Sequence, residues 1–199
     1  MSLTKFQETL SIFSAIKNNL ELDLRVIKRY INDGELKYSL TNKMLVDIVS
    51  FLAEWKRINT YAKENEEIKE TMKVTSTLIK RIKTWKGIEG MRNTMLAHGF
   101  RDGNNNDRLT CLDKRYFNAD VPTNYAEIIL LSELIVFVIA TFICRHSNDN
   151  NISKQYHLNK KHSIKSKGIS TMQEFESEIK SYINELFKKD PTLKNCFKI

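Results

Sequence analysis

Two prolines and six glycines in 199 residues leave long stretches with nothing to stop a helix. That scarcity argues against collagen-like and low-complexity chains, which are rich in both. Cysteine is equally scarce. Cys111, Cys144 and Cys196 lie far apart and form no C-x-x-C pair, so neither a disulfide framework nor a zinc site is expected, and a reducing cytoplasm is the expected setting. No glycine-rich phosphate loop, Ser/His/Asp arrangement or paired-carboxylate site stands out. The first residues, Met1-Ser2-Leu3-Thr4-Lys5, run straight into an amphipathic pattern without an apolar core or cleavage site, and no signal peptide is expected. Long apolar runs are limited to one, from Ile128 to Cys144. It is slightly short for a span of about 20 residues and carries Ser132 and Glu133. A central buried helix, partly covered by a second subunit, is the expectation, with no membrane partner.

What is present is helical periodicity and positive charge. Phe6, Leu10, Phe13, Leu20, Leu24, Ile27 and Ile31 recur at steps of three and four, building one apolar stripe that ends at Asn32-Asp33-Gly34. A second helix is predicted from Thr41-Asn42, with Leu45, Ile48, Leu52 and Trp55 on one face. A third is predicted from Asn65, with the stripe Ile68, Met72, Thr75, Ile79 and Ile82. Gly87 and Gly90 then weaken the helix, as a kink, a break into a short fourth helix, or a place where another backbone approaches closely. Residues 100–123 read as a long polar connection, and Thr123 or Asn124 is positioned to cap the apolar helix that follows. Residues 147–168 read as a basic arm with Lys154, Lys160, Lys161, Lys165, Lys167, His157 and His162. Thr171-Met172-Gln173-Glu174 is a capping box opening a last amphipathic helix that stops near Asp190-Pro191. The predicted architecture is therefore all-α: an up-and-down bundle of four to five helices over 1–147, then a basic arm and C-terminal helix over 148–199.

Lysine and arginine exceed aspartate and glutamate by eight, a balance that suits an anionic partner such as nucleic acid. Against that background stands Met91-Arg92-Asn93-Thr94-Met95-Leu96-Ala97-His98-Gly99. Arginine presents a planar cationic fork that fits phosphate oxygens, and histidine transfers protons near neutral pH. Arg92 and His98 are six residues apart, which on a continuous helix is an offset of about 120°. His98 continues the stripe of Ile88, Met91 and Met95, whereas Arg92 falls on the neighbouring stripe with Trp85 and Glu89. Two arrangements bring them together: a helix end at Gly99 that frees His98 to turn, or two copies of the motif meeting across a two-fold axis. The structural alternative is a core histidine, an Arg92–Glu89 helix pair and a solvated Asn93.

Arg92-Asn93-x4-His98 resembles the R-x(4–6)-H signature of the HEPN superfamily, and Arg-Asn-x-x-Leu-Ala-His is similar to the form in prokaryotic abortive-infection and toxin-like members. The resemblance covers residues 4–147 and leaves out the basic arm and last helix. It implies a metal-independent endoribonuclease without a cofactor, active as a homodimer with the site between protomers. Arg92 would bind and polarise the scissile phosphate, His98 would move protons and Asn93 would orient them. Some members of the superfamily are non-catalytic RNA- or protein-binding modules, and some pair with a nucleotidyltransferase. A cognate antitoxin is a further partner in such systems. Arg101 and Arg108, after the motif, and Lys160 and Lys161, in the arm, are candidate substrate contacts, with Tyr156 as a stacking group. The pair His157 and His162 has no nearby Cys, Asp or Glu to complete a metal site, and none is expected there.

Overall fold

In a computed structural model of the chain, the described residues are 2–88, 101–102, 105–109, 120–122, 124–159 and 169–192. They divide into two units, Met1–Asn159 and Lys160–Ile199. The fold is all-α. Helix α1 spans Lys5–Arg29, and Thr4 caps it in a box in which Thr4 accepts from the Gln7 amide and Gln7 Oε1 accepts from the Thr4 amide. Asp33 caps α2, Gly34–Tyr61, by accepting from the Leu36 amide at 2.9 Å. This helix starts two turns before the predicted Thr41-Asn42. Asp33 supplies the cap after a short turn, and the Thr41 hydroxyl donates within the helix to the Tyr38 carbonyl instead.

The predicted third helix is two, α3 (Glu66–Val74) and α4 (Ser76–Ile82). They break at Thr75, whose buried hydroxyl donates to the Thr71 carbonyl at 3.1 Å. The stripe survives the break, because Ile68, Ile79 and Ile82 are all buried. Two short antiparallel strands, β1 (Arg101–Asp102) and β2 (Asn105–Leu109), pair within the stretch read as a polar loop. Their two-residue link, Gly103-Asn104, is a hairpin signal that the surrounding polarity conceals.

Helix α5, Tyr125–Arg145, is capped by Asn124, and α1, α2, α3, α4 and α6 all pack on it. Ile128, Leu131, Ile135, Val138, Ile139 and Phe142 face inward with less than about a twentieth of their surface exposed. By length and composition alone α5 is also a candidate membrane span, with 44% of its most apolar window buried. Its outer side carries exposed Leu130 and Phe137, so the expected partial burial is found, while the second subunit lies beyond a single chain.

The basic arm is the largest departure. Residues Ser147–Asn159 form a helix, α6, that packs along α1, so the first unit runs to Asn159 rather than 147. Its inward side is polar: Asn150 accepts from Ser14 at 3.1 Å, Asp149 accepts from Gln7 at 2.8 Å, and buried Ser153 hydrogen-bonds Ser11. A helix held by side-chain hydrogen bonds has no apolar stripe to read. In the second unit, α7 spans Met172–Lys189 and opens on the predicted Thr171–Glu174 capping box.

Candidate functional site

Arg92, Asn93 and His98 lie outside the described residues, as do Lys160, Lys161 and His162. What the structure defines is the frame from which the motif segment departs. After α4 the chain turns through residues 83–87 and becomes helical again at Ile88. Trp85 therefore sits in the turn after α4, where the glycines at 87 and 90 left a kink or break open. Trp85, Ile88 and Val121 are buried together in the core, so the segment of residues 89–119 leaves and returns at one anchored point.

Gly87 closes that point. Its amide donates to the Asp120 carbonyl at 2.8 Å. A Cβ added to Gly87 would stand 2.9 Å from Val121 Cγ1 and 3.1 Å from the Asp120 backbone nitrogen and oxygen. Two of those three contacts are backbone that cannot rotate away. The helix is interrupted at this turn, and the close approach of another backbone that Gly87 could permit is present there as well. Gly87→Ala is accordingly expected to cost roughly 1–3 kcal/mol by overpacking, read as a fall in urea midpoint. A midpoint unchanged from wild type would mean that the two backbones are not this close.

Beside the anchor, Lys80, Arg81, Lys83 and Lys86 are all exposed. The Arg81 guanidinium lies over the Trp85 ring, 4.5 Å from its centroid, and donates to Thr84 Oγ1 at 3.3 Å. This ring contact holds one cation in place and leaves the lysines free to meet an anion. These four residues were not singled out from the sequence, because Lys80 and Arg81 read as the solvated side of an amphipathic helix and Lys83 and Lys86 as the polar residues that follow it. The Lys86 amide, which donates to Asp120 Oδ2 at 3.5 Å, and the Gly87 amide, which donates to the Asp120 carbonyl, set the end of this basic run against the returning chain, making it a shoulder to the motif segment. Of the predicted substrate contacts, Arg101 pairs across the hairpin with Leu109, and Arg108 sits one residue before that partner on β2. The two arginines are thus brought to one end of one hairpin.

Two described histidines hold positions distinct from the motif. His157 is on α6, in a cleft of about 690 Å³ lined by Ser11, Ser14, Asn150, Ser153 and Lys154. Its Nε2 is 3.2 Å from Ser11 Oγ. That serine also meets the Gln7 carbonyl at 3.0 Å and the buried Ser153 hydroxyl, so the imidazole joins a hydrogen-bonded network between α1 and α6. The pair is a helix-packing contact, not an activated nucleophile. Tyr156, proposed as a base-stacking group, packs edge-on against His157 with ring centroids 5.4 Å apart.

His146, between α5 and α6, is buried between the rings of Phe6 and Phe142. Its Nε2 meets Thr71 Oγ1 at 3.0 Å, and Arg145 Nε donates to the same hydroxyl at 3.0 Å. Desolvation pushes the imidazole below its ordinary 6.5, opposed by the Glu67 and Asp149 carboxylates and reinforced by Arg145. The unfolded chain then takes up the proton first as the pH falls, so this histidine's contribution to stability is intact above about pH 6.5 and declines on acidification below it. Urea unfolding at pH about 7.5 and about 5.5 is expected to show lower stability at the acid pH, and a smaller difference in His146→Gln. Equal pH dependence in the two proteins would remove His146 as the cause.

Among the described residues no group of three or more His, Cys, Asp or Glu is placed to hold a metal ion. No family model, curated protein or solved structure matches the chain.

Proposed function

We propose that this all-α protein is a cytoplasmic, metal-independent endoribonuclease of the toxin or phage-defence type, working as a homodimer. The reading rests on the Arg92-Asn93-x4-His98 string, and it is supported by the helical setting and by the basic shoulder of Lys80, Lys83 and Lys86 where that segment departs. RNA carries its own nucleophile. The ribose 2′-oxygen attacks phosphorus, its proton passes to a base, the bond from phosphorus to the 5′-oxygen breaks, and an acid protonates the leaving oxygen. The products are a 2′,3′-cyclic phosphate and a 5′-hydroxyl. His98 serves as base or acid, with a second copy of the motif supplying the complementary group. Arg92 meets the negative charge that builds on the phosphate oxygens, and Asn93 orients the phosphate. Arg101, Arg108 and the lysines hold flanking backbone by charge.

The deciding experiment incubates wild type and His98→Ala with total RNA in EDTA and identifies the new ends. Cleavage by wild type alone, with cyclic phosphate ends, supports the proposal. Equal cleavage by a folded His98→Ala protein sinks it. RNA retention without cleavage by either protein would instead mark a non-catalytic RNA-binding module.

A further inference from the structure

Residues 71–88 carry five cations, Lys73, Lys80, Arg81, Lys83 and Lys86, and no aspartate or glutamate. Four of the five gather at the end of α4 and the turn after it, and all four are exposed. Asp120 offsets part of this charge at the Lys86 end, where its Oδ2 accepts from the Lys86 amide at 3.5 Å. Charge alone would let such a group hold a row of phosphates without regard to the bases they carry. Arg81 differs from the lysines in being fixed. Its guanidinium lies over the Trp85 ring, 4.5 Å from the centroid. Its Nη1 donates to Thr84 Oγ1 at 3.3 Å, and that hydroxyl donates to the Arg81 carbonyl at 2.8 Å. Trp85 is only 7% exposed and belongs to the core, so the ring beneath the arginine is anchored.

The negative end of a helix accounts for cations in its last turn, but a lysine would serve there equally well. It does not account for a planar cation held over a buried ring, with the side chain still open to solvent. A delocalised guanidinium of this kind stacks on an unpaired base, which presents a π-face whatever its identity. Bases within a duplex are covered by their neighbours in the stack and are closed to such a contact. We infer that Arg81, backed by Trp85, is the platform on which a single-stranded nucleic acid stacks one unpaired base, while Lys80, Lys83 and Lys86 hold the phosphates beside it. The inference rests on the proposed action on RNA and adds the form of RNA that is taken, unpaired where the motif segment departs.

The test measures binding of the full chain, by fluorescence anisotropy, to labelled single-stranded 2′-O-methyl RNA, to the same sequence as a duplex, and to labelled inorganic polyphosphate. The 2′-O-methyl group removes the nucleophile, so binding is read whether or not the chain cleaves RNA. Arg81→Lys keeps the charge and loses the plane. It is expected to lower affinity for the single strand about fivefold or more, to leave the duplex and polyphosphate nearly unchanged, and to retain the circular dichroism of wild type. Lys83→Ala is expected to weaken all three probes alike and to lower the slope of their salt dependence by about one. An Arg81→Lys protein that binds every probe as wild type does, or loses all three equally, overturns the inference and leaves a surface that reads charge alone. A wild-type chain that binds none of the probes overturns it as well. Selective loss in Arg81→Lys, in a chain whose wild type cleaves no RNA, would uphold the platform and remove the endoribonuclease reading. Cleavage by wild type together with an indifferent Arg81→Lys would do the reverse.

Discussion

His98→Ala is expected to abolish RNA cleavage for practical purposes, lowering it by a thousand-fold or so. A positioned proton-transfer group typically contributes a factor of about a hundred to ten thousand, and no neighbouring histidine in the sequence stands within reach along the chain to replace it. Arg92→Ala is expected to cost roughly a hundred- to a thousand-fold, because it removes a fixed cation from the place where phosphate charge develops. Arg92→Lys should recover little of this. A lysine keeps the charge and loses the planar fork that engages two phosphate oxygens at once. Asn93→Ala, removing an orienting group only, should fall between these variants and wild type. Both losses should appear in kcat more than in KM, since the interactions strengthen in the transition state. Neither should depend on EDTA. A folded Arg92→Ala protein with wild-type kcat would leave the arginine as a helix surface residue paired with Glu89.

The helices that bury apolar stripes were legible in the amino-acid order. Leu10, Phe13, Leu20, Leu24 and Ile27 all proved to be core, and so did Trp55 and Trp85. The caps at Asn124 and Thr171 follow from side-chain chemistry that acts over three residues. What escaped was structure whose cause is not local. Helix α6 buries Asn150 and Ser153 against serines of α1 more than 130 residues away, and no periodicity records a hydrogen-bonded partner at that distance. The break at Thr75, whose hydroxyl turns back onto the Thr71 carbonyl, falls inside an uninterrupted apolar stripe that disguises it. At the candidate site, the motif could be read as chemistry, but the lysine shoulder could not. Lys83 and Lys86 gain their meaning from a chain that returns at Asp120, and Gly87 is the residue that records that return. Its short-range signal was a glycine where helix was otherwise favoured, and that signal left open a kink or a break and did not say which backbone would approach it.

Phe142→Ala should have the largest effect on stability, about 3–5 kcal/mol. The ring is fully buried, edge-on to Phe13 and Trp55 at 5.9 and 5.7 Å and stacked near His146 at 5.9 Å. Its removal takes one side from each of those contacts and opens a cavity that the rigid aromatic neighbours cannot collapse to fill. It also lets water nearer the imidazole of His146, so the variant should lose part of the acid sensitivity that burial of that group confers. Phe137, one and a half turns earlier on the same helix, is 55% exposed, and Phe137→Ala should change stability by about 0.5 kcal/mol or less. The comparison separates what holds α5 in place. Apolarity alone would make the two phenylalanines equivalent, as they would be on a helix surrounded by lipid. Packing against α1 and α2 makes them unequal by a factor of several. Chemical denaturation of both variants measures that ratio. A costly Phe137→Ala would mean that the outward side of α5 is covered in solution, and in that case its cost should vary with protein concentration, as burial between two chains requires.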